Sequence, residues 1–298
     1  MPLVNGILLV DKPEGMTSAG VVRVVKKKLN QGKVGHLGTL DPFASGLLPL
    51  CMGEGTKIAQ FLTSERKAYT GTIRLGIETE TFDSTGAITR TEPVPLIESA
   101  TLRVLEQQFL GEYWQTPPMY SAIKRQGVPL YKFARRGMEV EREPRLSIID
   151  HLALTDQGDG TLHFSLVCSK GTYVRSLAVD IGAVLGCGAH VATLRRTAFG
   201  PFVIAEAVDL SVATDGVRIE ELPVLSMRQA LQQYRSVPLS EREVALLRQG
   251  RQEPLQELPT TDRLDEVIQL VDAKDELVAM VQRCQRGWQL LRVFSTLH

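Results

Sequence analysis

Two segments with alternating apolar residues, 146–155 and 161–168, flank the sequence Gly158-Asp159-Gly160. Glycine and aspartate favour tight turns, because glycine adopts a positive φ without steric cost and aspartate bonds to nearby backbone N–H groups. This arrangement predicts an antiparallel β-hairpin near the middle of the chain. The strand and helix patterns elsewhere do not repeat as strand–helix–strand units, so we predict an α+β fold rather than a doubly wound sheet.

The first 200 residues carry the other predicted elements of a large domain. Apolar residues predict a buried strand over 6–11 and a helix over 19–29, with Ser18 as the N-cap of that helix. The glycine-rich segment from Gly32 to Gly46 follows neither period, and we predict a loop there. The same patterns predict a strand at 67–76 and helices at 101–110, 130–136 and 172–185.

The composition of the chain changes after about residue 200. Residues 225–234 and 239–247 have the spacing of short helices, and residues 251–265 are polar, contain proline and predict a loop. Three short strands are predicted at 266–271, 277–282 and 288–294. We therefore divide the chain into a large domain, 1–234, and a small, mostly β module, 235–298.

Composition excludes several classes of protein. Of the 298 residues, 43% are apolar and 23% are charged, which is ordinary for a globular protein and excludes disorder as the main state. The longest uncharged apolar stretches are far shorter than the ~20 residues that span a bilayer. The sequence does not open on a basic segment followed by an apolar one, so no secretory signal is visible. We expect a cytoplasmic protein that does not enter a membrane.

Cysteine and histidine usage predicts no metal site. The four cysteines lie far apart and form no Cys-x-x-Cys pair, so we also expect no disulfide framework. The nearest approach to a metal half-site is Cys187, three residues before His190, and it lacks a second pair at zinc spacing. A buried thiol beside an ordinary histidine is the simpler interpretation.

The net charge is zero, yet the charges are unevenly distributed. Residues 1–200 contain 23 Lys and Arg against 19 Asp and Glu, whereas residues 201–298 contain 11 against 15. Each of three basic clusters in the first part is compatible with a solvated surface, but their number and their proximity to glycine and aromatic residues favour a polyanionic partner. The clusters are Lys26, Lys27 and Lys28 with Lys33; seven residues between Lys124 and Arg145; and Lys170 with Arg175, Arg195 and Arg196.

The segment 35–49 places a single carboxylate, Asp41, among glycines and prolines. Glycines let the backbone approach a ligand closely, and a carboxylate in such a loop can act as a nucleophile or stabilise positive charge. An Asp-Pro turn without chemical function is the alternative, and local composition alone favours it.

The sequence of this segment, GHLGTLDPFASGLLP, resembles the catalytic loop of the bacterial tRNA pseudouridine-55 synthases. Further segments resemble motifs of that family and follow in the family's order. They are VDKPEGMTS at 10–18, RKAY at 66–69, QTPPMYSA at 115–122, CSKGTYVR at 168–175, and GAH at 188–190 with LRR at 194–196. The resemblance covers about residues 5–200 and is loose over about the last 65 residues.

The resemblance implies a fold and a reaction. The fold is the α+β catalytic domain of the pseudouridine synthases around a mixed, largely antiparallel sheet, with a small C-terminal mostly-β module that is PUA-like and binds RNA. The reaction isomerises uridine: the C1′–N1 bond breaks, the base rotates and a C1′–C5 bond forms. Since no electrons or atoms are gained, the resemblance implies no cofactor and no metal.

The resemblance also implies three catalytic residues. Asp41 is the catalytic carboxylate, and Arg175 is its counter-charge, which fixes the carboxylate and lowers its pKa. Tyr69 is a stacking platform for the base and a candidate for proton transfer from C5. Judged without the resemblance, Arg175 would be a surface residue of a helix and Tyr69 an ordinary strand tyrosine packed on the core.

Substrate binding is implied for four further residues. The target uridine lies in a folded RNA arm, so it must be extruded before any side chain reaches it. Leu194 is expected to pack against the extruded base, and His36 to fill the space that the base leaves. Lys12 and Tyr173 lie in matching motifs and are expected to contact substrate, while the basic segment 124–145 is expected to clamp the RNA backbone.

We therefore predict an isomerase that converts uridine-55 in the T-loop of tRNA to pseudouridine. Its partner would be the T-arm of tRNA, with no cofactor and no protein partner, and we expect a monomer. One alternative is a uridine isomerase acting on another RNA. The other is a catalytically idle RNA-binding or tRNA-folding protein on the same scaffold, which would have no reason to keep Asp41, Tyr69 and Arg175 together.

Overall fold

The computed structural model describes residues 4–63, 65–213, 216, 218–259 and 261–294, and this part of the chain forms nineteen β-strands and seven α-helices. In chain order the strands are β1 (Gly6–Lys12), β2 (Val34–His36), β3 (Ser45–Met52), β4 (Lys67–Leu75), β5 (Ile77–Thr79), β6 (Ile88–Thr91), β7 (Gly111–Gln115), β8 (Lys124–Arg125), β9 (Val128–Pro129), β10 (Arg145–Asp156), β11 (Thr161–Cys168), β12 (Ala189–Phe199), β13 (Phe202–Val203), β14 (Val208–Asp209), β15 (Val224–Leu225), β16 (Ser236–Pro238), β17 (Val267–Val271), β18 (Leu277–Cys284) and β19 (Gly287–Val293). The helices are α1 (Ser18–Lys28), α2 (Ala59–Leu62), α3 (Ser99–Phe109), α4 (Leu130–Ala134), α5 (Val174–Val184), α6 (Met227–Ala230) and α7 (Glu241–Arg248).

One mixed sheet of eleven strands organises most of the chain. Its main order is β14–β1–β3–β12–β4–β11–β10–β7, and β2, β13 and β15 pair with β3, β12 and β1. Only the β1–β14 and β3–β12 pairings in this sheet are parallel among the residues described. The predicted α+β fold around a largely antiparallel sheet is confirmed.

The predicted hairpin is formed by β10 and β11, which pair antiparallel with Leu152 opposite Leu166. Both turn glycines adopt the left-handed conformation, with φ of 80° at Gly158 and 79° at Gly160. A side chain at either position would be strained, which is why the turn needs glycine.

Strand β4 lies at the centre of the sheet, between β11 and β12. Its residues alternate between buried and half-buried from Lys67 to Leu75, so every second side chain faces the core. Helices α3 and α5 pack on this core through leucines spaced for one helix face, such as Leu102 with Leu105 on α3 and Leu177 on α5.

Two local predictions near the N-terminus are wrong. Thr17, not Ser18, caps α1, because the Thr17 hydroxyl accepts from the backbone N–H of Gly20 at 2.9 Å. The stretch from Gly32 to Gly46 is not all loop, since it contains β2 paired with β3. Three half-buried residues are too few to show a strand period in the sequence.

The C-terminal residues form a second sheet of four strands in the order β16–β17–β18–β19. The three predicted strands are present, and β16, which pairs parallel with β17, was not predicted. The predicted helix at 225–234 is only the single turn α6. The division at residue 234 stays a prediction, and residues 295–298 of the predicted module lie outside the described residues.

The second sheet shares a hydrophobic core with the first one. Leu277, Met280 and Phe294 are buried in the same cluster as Ile7 and Leu9 of β1. Within the part of the chain described, no helix is long and apolar enough to cross a membrane.

Removal of the second sheet should therefore lower thermal stability. A chain that ends at Tyr234 would expose the apolar side chains of β1 that now face Phe294 and its neighbours. We expect its melting temperature to fall by about 5–15 °C, since 1 kcal/mol corresponds to roughly 2–4 °C in a domain of this size. Calorimetry of the full and shortened chains measures the change, and equal melting temperatures would show that the shared core contributes nothing.

Candidate active site

The loop that carries Asp41 connects β2 to β3 and is tied to the first residue of α1 and to the segment before it. The Ser18 hydroxyl donates to the carbonyl of Leu40 at 3.1 Å. The backbone N–H of Leu40 donates in turn to the Ser18 hydroxyl oxygen at 2.9 Å. Gly15 donates its N–H to the carbonyl of Pro42 at 2.7 Å. Because these bonds hold residues on both sides of Asp41, the position of its carboxylate is fixed from outside the loop.

Lys12 lies beneath this loop and is fully buried. Its ammonium group donates to three carbonyls, those of Pro13 at 2.8 Å, Met16 at 2.7 Å and Pro42 at 3.3 Å. Loss of hydration lowers the pKa of Lys12 to about 8, although the negative charge of Asp41 acts in the opposite direction. The contact of Lys12 with substrate stays a prediction, since its three donors already bind backbone carbonyls.

Asp41 forms an ion pair with Arg175, with 2.9 Å between Oδ2 and Nη2. The Arg175 side chain is only 4% exposed, whereas that of Asp41 is 34% exposed. The guanidinium is therefore enclosed by protein and the carboxylate faces an opening. Desolvation raises the pKa of Asp41, and the charge of Arg175 opposes that rise.

A network of polar groups holds the Arg175 guanidinium in place. It donates to the carbonyls of Thr81 at 3.0 Å and Tyr120 at 2.9 Å. A second carboxylate, Asp83, lies 3.6 Å from Nη1 and is 6% exposed. Asp83 in turn accepts from the Thr85 N–H at 3.0 Å and from the hydroxyls of Thr81 and Thr85 at 2.7 and 2.5 Å. Arg175 therefore has two carboxylates beside it, that of Asp41, which is partly exposed, and that of Asp83, which is buried.

Tyr69 on β4 and Leu194 on β12 form an apolar wall of the site. They are 8% and 6% exposed and belong to one cluster with Leu40 and Ala44, which flank Asp41. Gly71 lies opposite Leu194 on β4, and a Cβ atom there would meet the carbonyl of Thr193. Burial raises the pKa of the Tyr69 hydroxyl, so the phenol is neutral at physiological pH.

His36 and Tyr173 lie at two further edges of the site. His36 is half-buried at the end of β2, and its Nδ1 is buried without a hydrogen-bond partner among the described residues. Burial lowers the pKa of His36, so the neutral ring is favoured. Tyr173 immediately precedes α5 and donates its backbone N–H to Oε1 of Gln115 at 2.7 Å.

The seven predicted site residues differ in where they lie relative to Asp41 and its loop. The charge of Asp41 acts on the pKa values of Lys12, Tyr69 and Tyr173. Leu194 belongs to the apolar cluster that contains Tyr69, and His36 lies at the start of the loop. Lys12 is fully buried below the loop, whereas Asp41 is partly exposed.

Comparison with known families shows which family the chain belongs to. Residues 26–174, half of the chain, match the TruB family pseudouridylate synthase (N terminal domain). Residues 175–232 match the tRNA pseudouridylate synthase B C-terminal domain. The chain belongs to the TruB family of pseudouridylate synthases. The resemblance inferred from the motifs is thereby confirmed, and so is the assignment of the chain to the uridine isomerases.

Individual relatives agree with this membership of the TruB family. A protein named tRNA pseudouridine synthase B from Syntrophotalea carbinolica is 42% identical over 98% of both chains. Another of that name, from Aromatoleum aromaticum, is 49% identical over 75% of this chain and 70% of its own. A solved structure of a Cbf5-Nop10-Gar1 complex contains a chain with a TM-score of 0.71 and 25% identity, covering 97% of this chain and 85% of that one.

The structure corrects one prediction about charge in this TruB family member. Arg175 and Arg196, assigned to the third basic cluster, are 3% and 1% exposed and lie inside the protein. Arg195 binds Asp11 with both of its terminal nitrogens, at 3.1 and 2.5 Å. The three arginines of this cluster therefore do not form the predicted basic surface, because they bind groups of the protein, whereas Lys170 is exposed.

Sequence reasoning missed Asp83 beside Arg175 and the burial of Arg196. Asp83 carries one weak signal, two threonines within two residues that can donate to a carboxylate. No group of three or more His, Cys, Asp or Glu side chains that could hold a metal occurs among the described residues. The site of this TruB family member therefore consists of one open carboxylate, a buried guanidinium and an apolar wall.

Proposed function

We propose that this protein converts uridine-55 in the T-loop of tRNA to pseudouridine, with Asp41 as the catalytic carboxylate. The observation that carries the proposal is the ion pair between the open carboxylate of Asp41 and the buried guanidinium of Arg175. Relatives named tRNA pseudouridine synthase B, one of them covering 98% of the chain, support tRNA as the substrate.

The geometry of the ion pair suits the breaking of a glycosidic bond. Positive charge develops at C1′ as the C1′–N1 bond breaks, and an ionised carboxylate is both a nucleophile and a stabiliser of that charge. The charge of Arg175 favours the ionised form of Asp41 against the effect of burial on its pKa, and its guanidinium pairs with Oδ2, while the open side of the carboxylate would face the substrate. The released base then turns and joins C1′ through C5; the proton on C5 leaves and N1 takes up a proton, so the product is an isomer of uridine.

The apolar wall would bind the extruded base. Tyr69 offers a ring face for stacking and Leu194 an aliphatic contact, and both lie in the cluster around the Asp41 loop. Extrusion of a base costs a few kcal/mol, which contacts on both faces of the base offset. His36, at the start of the loop, would occupy the space left in the RNA, and the hydroxyl of Tyr69 would take part in removing the C5 proton.

An exposed basic region is suited to the RNA backbone. Lys124, Arg125 and Arg145 line a cavity of about 300 Å³ together with Arg142. Two glutamates, Glu141 and Glu143, also line it, so the positive charge is local and small. We include in the proposal that this region clamps the T-arm, and that the protein acts as a monomer in the cytoplasm.

A direct assay on RNA tests the proposed function. The protein is incubated with an unmodified tRNA transcript, and pseudouridine is mapped by carbodiimide modification and primer extension. We expect one modified site, at position 55, and none in a transcript in which that uridine is replaced by cytidine. Modification at another position only would support an isomerase for another RNA, and tight binding without modification would support the idle RNA-binding alternative.

Binding to tRNA should depend moderately on salt. If about 4–6 phosphates are neutralised, a plot of log K against log salt should have a slope of about −3 to −5. Filter binding at several salt concentrations measures the slope, with Lys124→Gln and Arg125→Gln expected to reduce it by about one each. A slope near zero would remove the clamp from the proposal.

A further inference from the structure

Arg196 is a buried guanidinium that the proposed reaction leaves without a role. It lies on β12 and is 1% exposed. No Asp or Glu side chain lies within ion-pair distance of it among the residues described. A buried charge without a counter-ion is costly, so its hydrogen-bond partners indicate what it does.

Two of these partners are the carbonyls on either side of the Asp41 loop. Nη2 donates to Gly38 at 3.1 Å, before Asp41, and Nε donates to Leu47 at 2.8 Å, after it. Gly38 has a φ of 67°, and a Cβ atom there would lie 2.8 Å from the ring of Phe199 and 3.3 Å from Nη1 of Arg196. Arg196 therefore holds both ends of the loop against β12.

Tyr69 is the third neighbour of Arg196. The two residues lie directly opposite each other across the antiparallel pair of β4 and β12, and the charge of the guanidinium opposes the rise that burial causes in the pKa of Tyr69. Guanidinium has only donors, so in a hydrogen bond between the two groups the Tyr69 oxygen accepts and its own O–H remains free. The other titratable groups that face the pair are Asp41 and Cys168 toward Tyr69, and Lys12, Lys67 and His36 toward Arg196.

We propose that Arg196 is a positioning residue that joins the Asp41 loop to the Tyr69 hydroxyl and directs the hydroxyl toward the base. The inference rests on the proposed pseudouridine reaction. Because one planar group donates to Gly38 and Leu47 and lies opposite Tyr69, it sets the position of the Asp41 loop relative to the phenol. Arg196 is buried and acts through the loop and Tyr69.

A double-mutant cycle separates this role from support of the fold. Tyr69→Phe keeps the ring and should lower the single-turnover rate by about 10²-fold. Arg196→Lys keeps the charge and loses the planar set of donors. It should lower the rate by about 10–30-fold when Tyr69 is present, but by at most about 3-fold in the Tyr69→Phe background. Equal losses in the two backgrounds would overturn the proposal, because support of the loop alone does not depend on the hydroxyl.

Lys67→Met is the matched control for loss of a buried cation. The Lys67 ammonium lies 4.5 Å from the centre of the Phe199 ring, the ring that also lies against Arg196, and it donates to the carbonyl of Glu65 at 2.6 Å. We expect the rate of this variant to stay within about 3-fold of wild type, with a similar change in the Tyr69→Phe background. Affinity for tRNA should change little in all of these variants.

If the Arg196 variants do not fold, a measurement on protein that keeps Arg196 still tests the proposal. In protein with ¹⁵N-labelled arginine, Tyr69→Phe should shift the buried Nη–H resonances of Arg196, and Tyr113→Phe should not, because the Tyr113 hydroxyl donates to Asp180. Unshifted resonances would overturn the proposal. Absence of pseudouridine with wild-type protein would instead refute the proposed function, since the resonance test needs no activity.

Discussion

We expect Asp41→Asn to form no detectable pseudouridine, while its affinity for tRNA stays within about tenfold of wild type. Asparagine is nearly isosteric with aspartate but lacks the negative charge and the nucleophilic oxygen. Tyr69 is neutral and Arg175 has the opposite charge, so neither can replace the lost carboxylate. Tritium release from C5-labelled uridine in a single turnover measures the reaction, and filter binding measures affinity.

Asp150→Asn is a matched control for this variant. Asp150 is another partly exposed aspartate, 36% exposed, and it pairs with an arginine, Arg66, at 2.8 Å. It lies on β10, away from the Asp41 loop, so the rate should be unchanged. Measurable turnover by Asp41→Asn protein, with deamidation excluded by mass spectrometry, would contradict the mechanism.

The second large effect is expected for Arg175→Met. The methionine removes the only cation in ion-pair contact with Asp41 in the described structure, so the pKa of the carboxyl rises further. The reaction needs the ionised form, and activity is lost as pH falls through that pKa. The acid limb of the rate profile should therefore move to higher pH, and the rate near pH 7 should fall by about 10³-fold.

The rate profile also distinguishes this effect from a disturbed fold. Single-turnover rates between about pH 5 and pH 9 give the acid limb for wild type and for Arg175→Met. Arg66→Met removes the partner of Asp150 and should leave the profile unchanged. A rate that falls equally at every pH would mean that Arg175 acts only by binding the carbonyls of Thr81 and Tyr120, and not through its charge beside Asp41.

The sequence predicted local elements well where a period or a turn determined them. The hairpin around Gly158 and Gly160 follows from alternation and positive φ, both of which can be read from neighbouring residues. The pairing of Asp41 with Arg175 could be expected only from the family resemblance, because the two residues lie far apart in the sequence. The roles of the seven site residues remain predictions.

The rest of the site depends on long-range contacts, which no local sequence pattern indicates. Serine is a common N-cap residue, yet the Ser18 hydroxyl binds the backbone of Leu40, and Thr17 caps the helix instead. Arg196 looks like part of a basic surface until β12 places it beside Tyr69. In both cases a long-range contact decides the role, and charge or propensity alone assigns it wrongly.

The position of β1 has a consequence for how the chain is synthesised. This strand is made before β14 and β15, with which it pairs near residues 208 and 224, and two of its side chains share a hydrophobic cluster with Phe294. Non-local pairing of this kind slows folding, since long loops must close before contacts form. One edge of β1 therefore stays unpaired until the residues of β14 and β15 have been made, and an unpaired strand edge promotes aggregation of a partly folded chain.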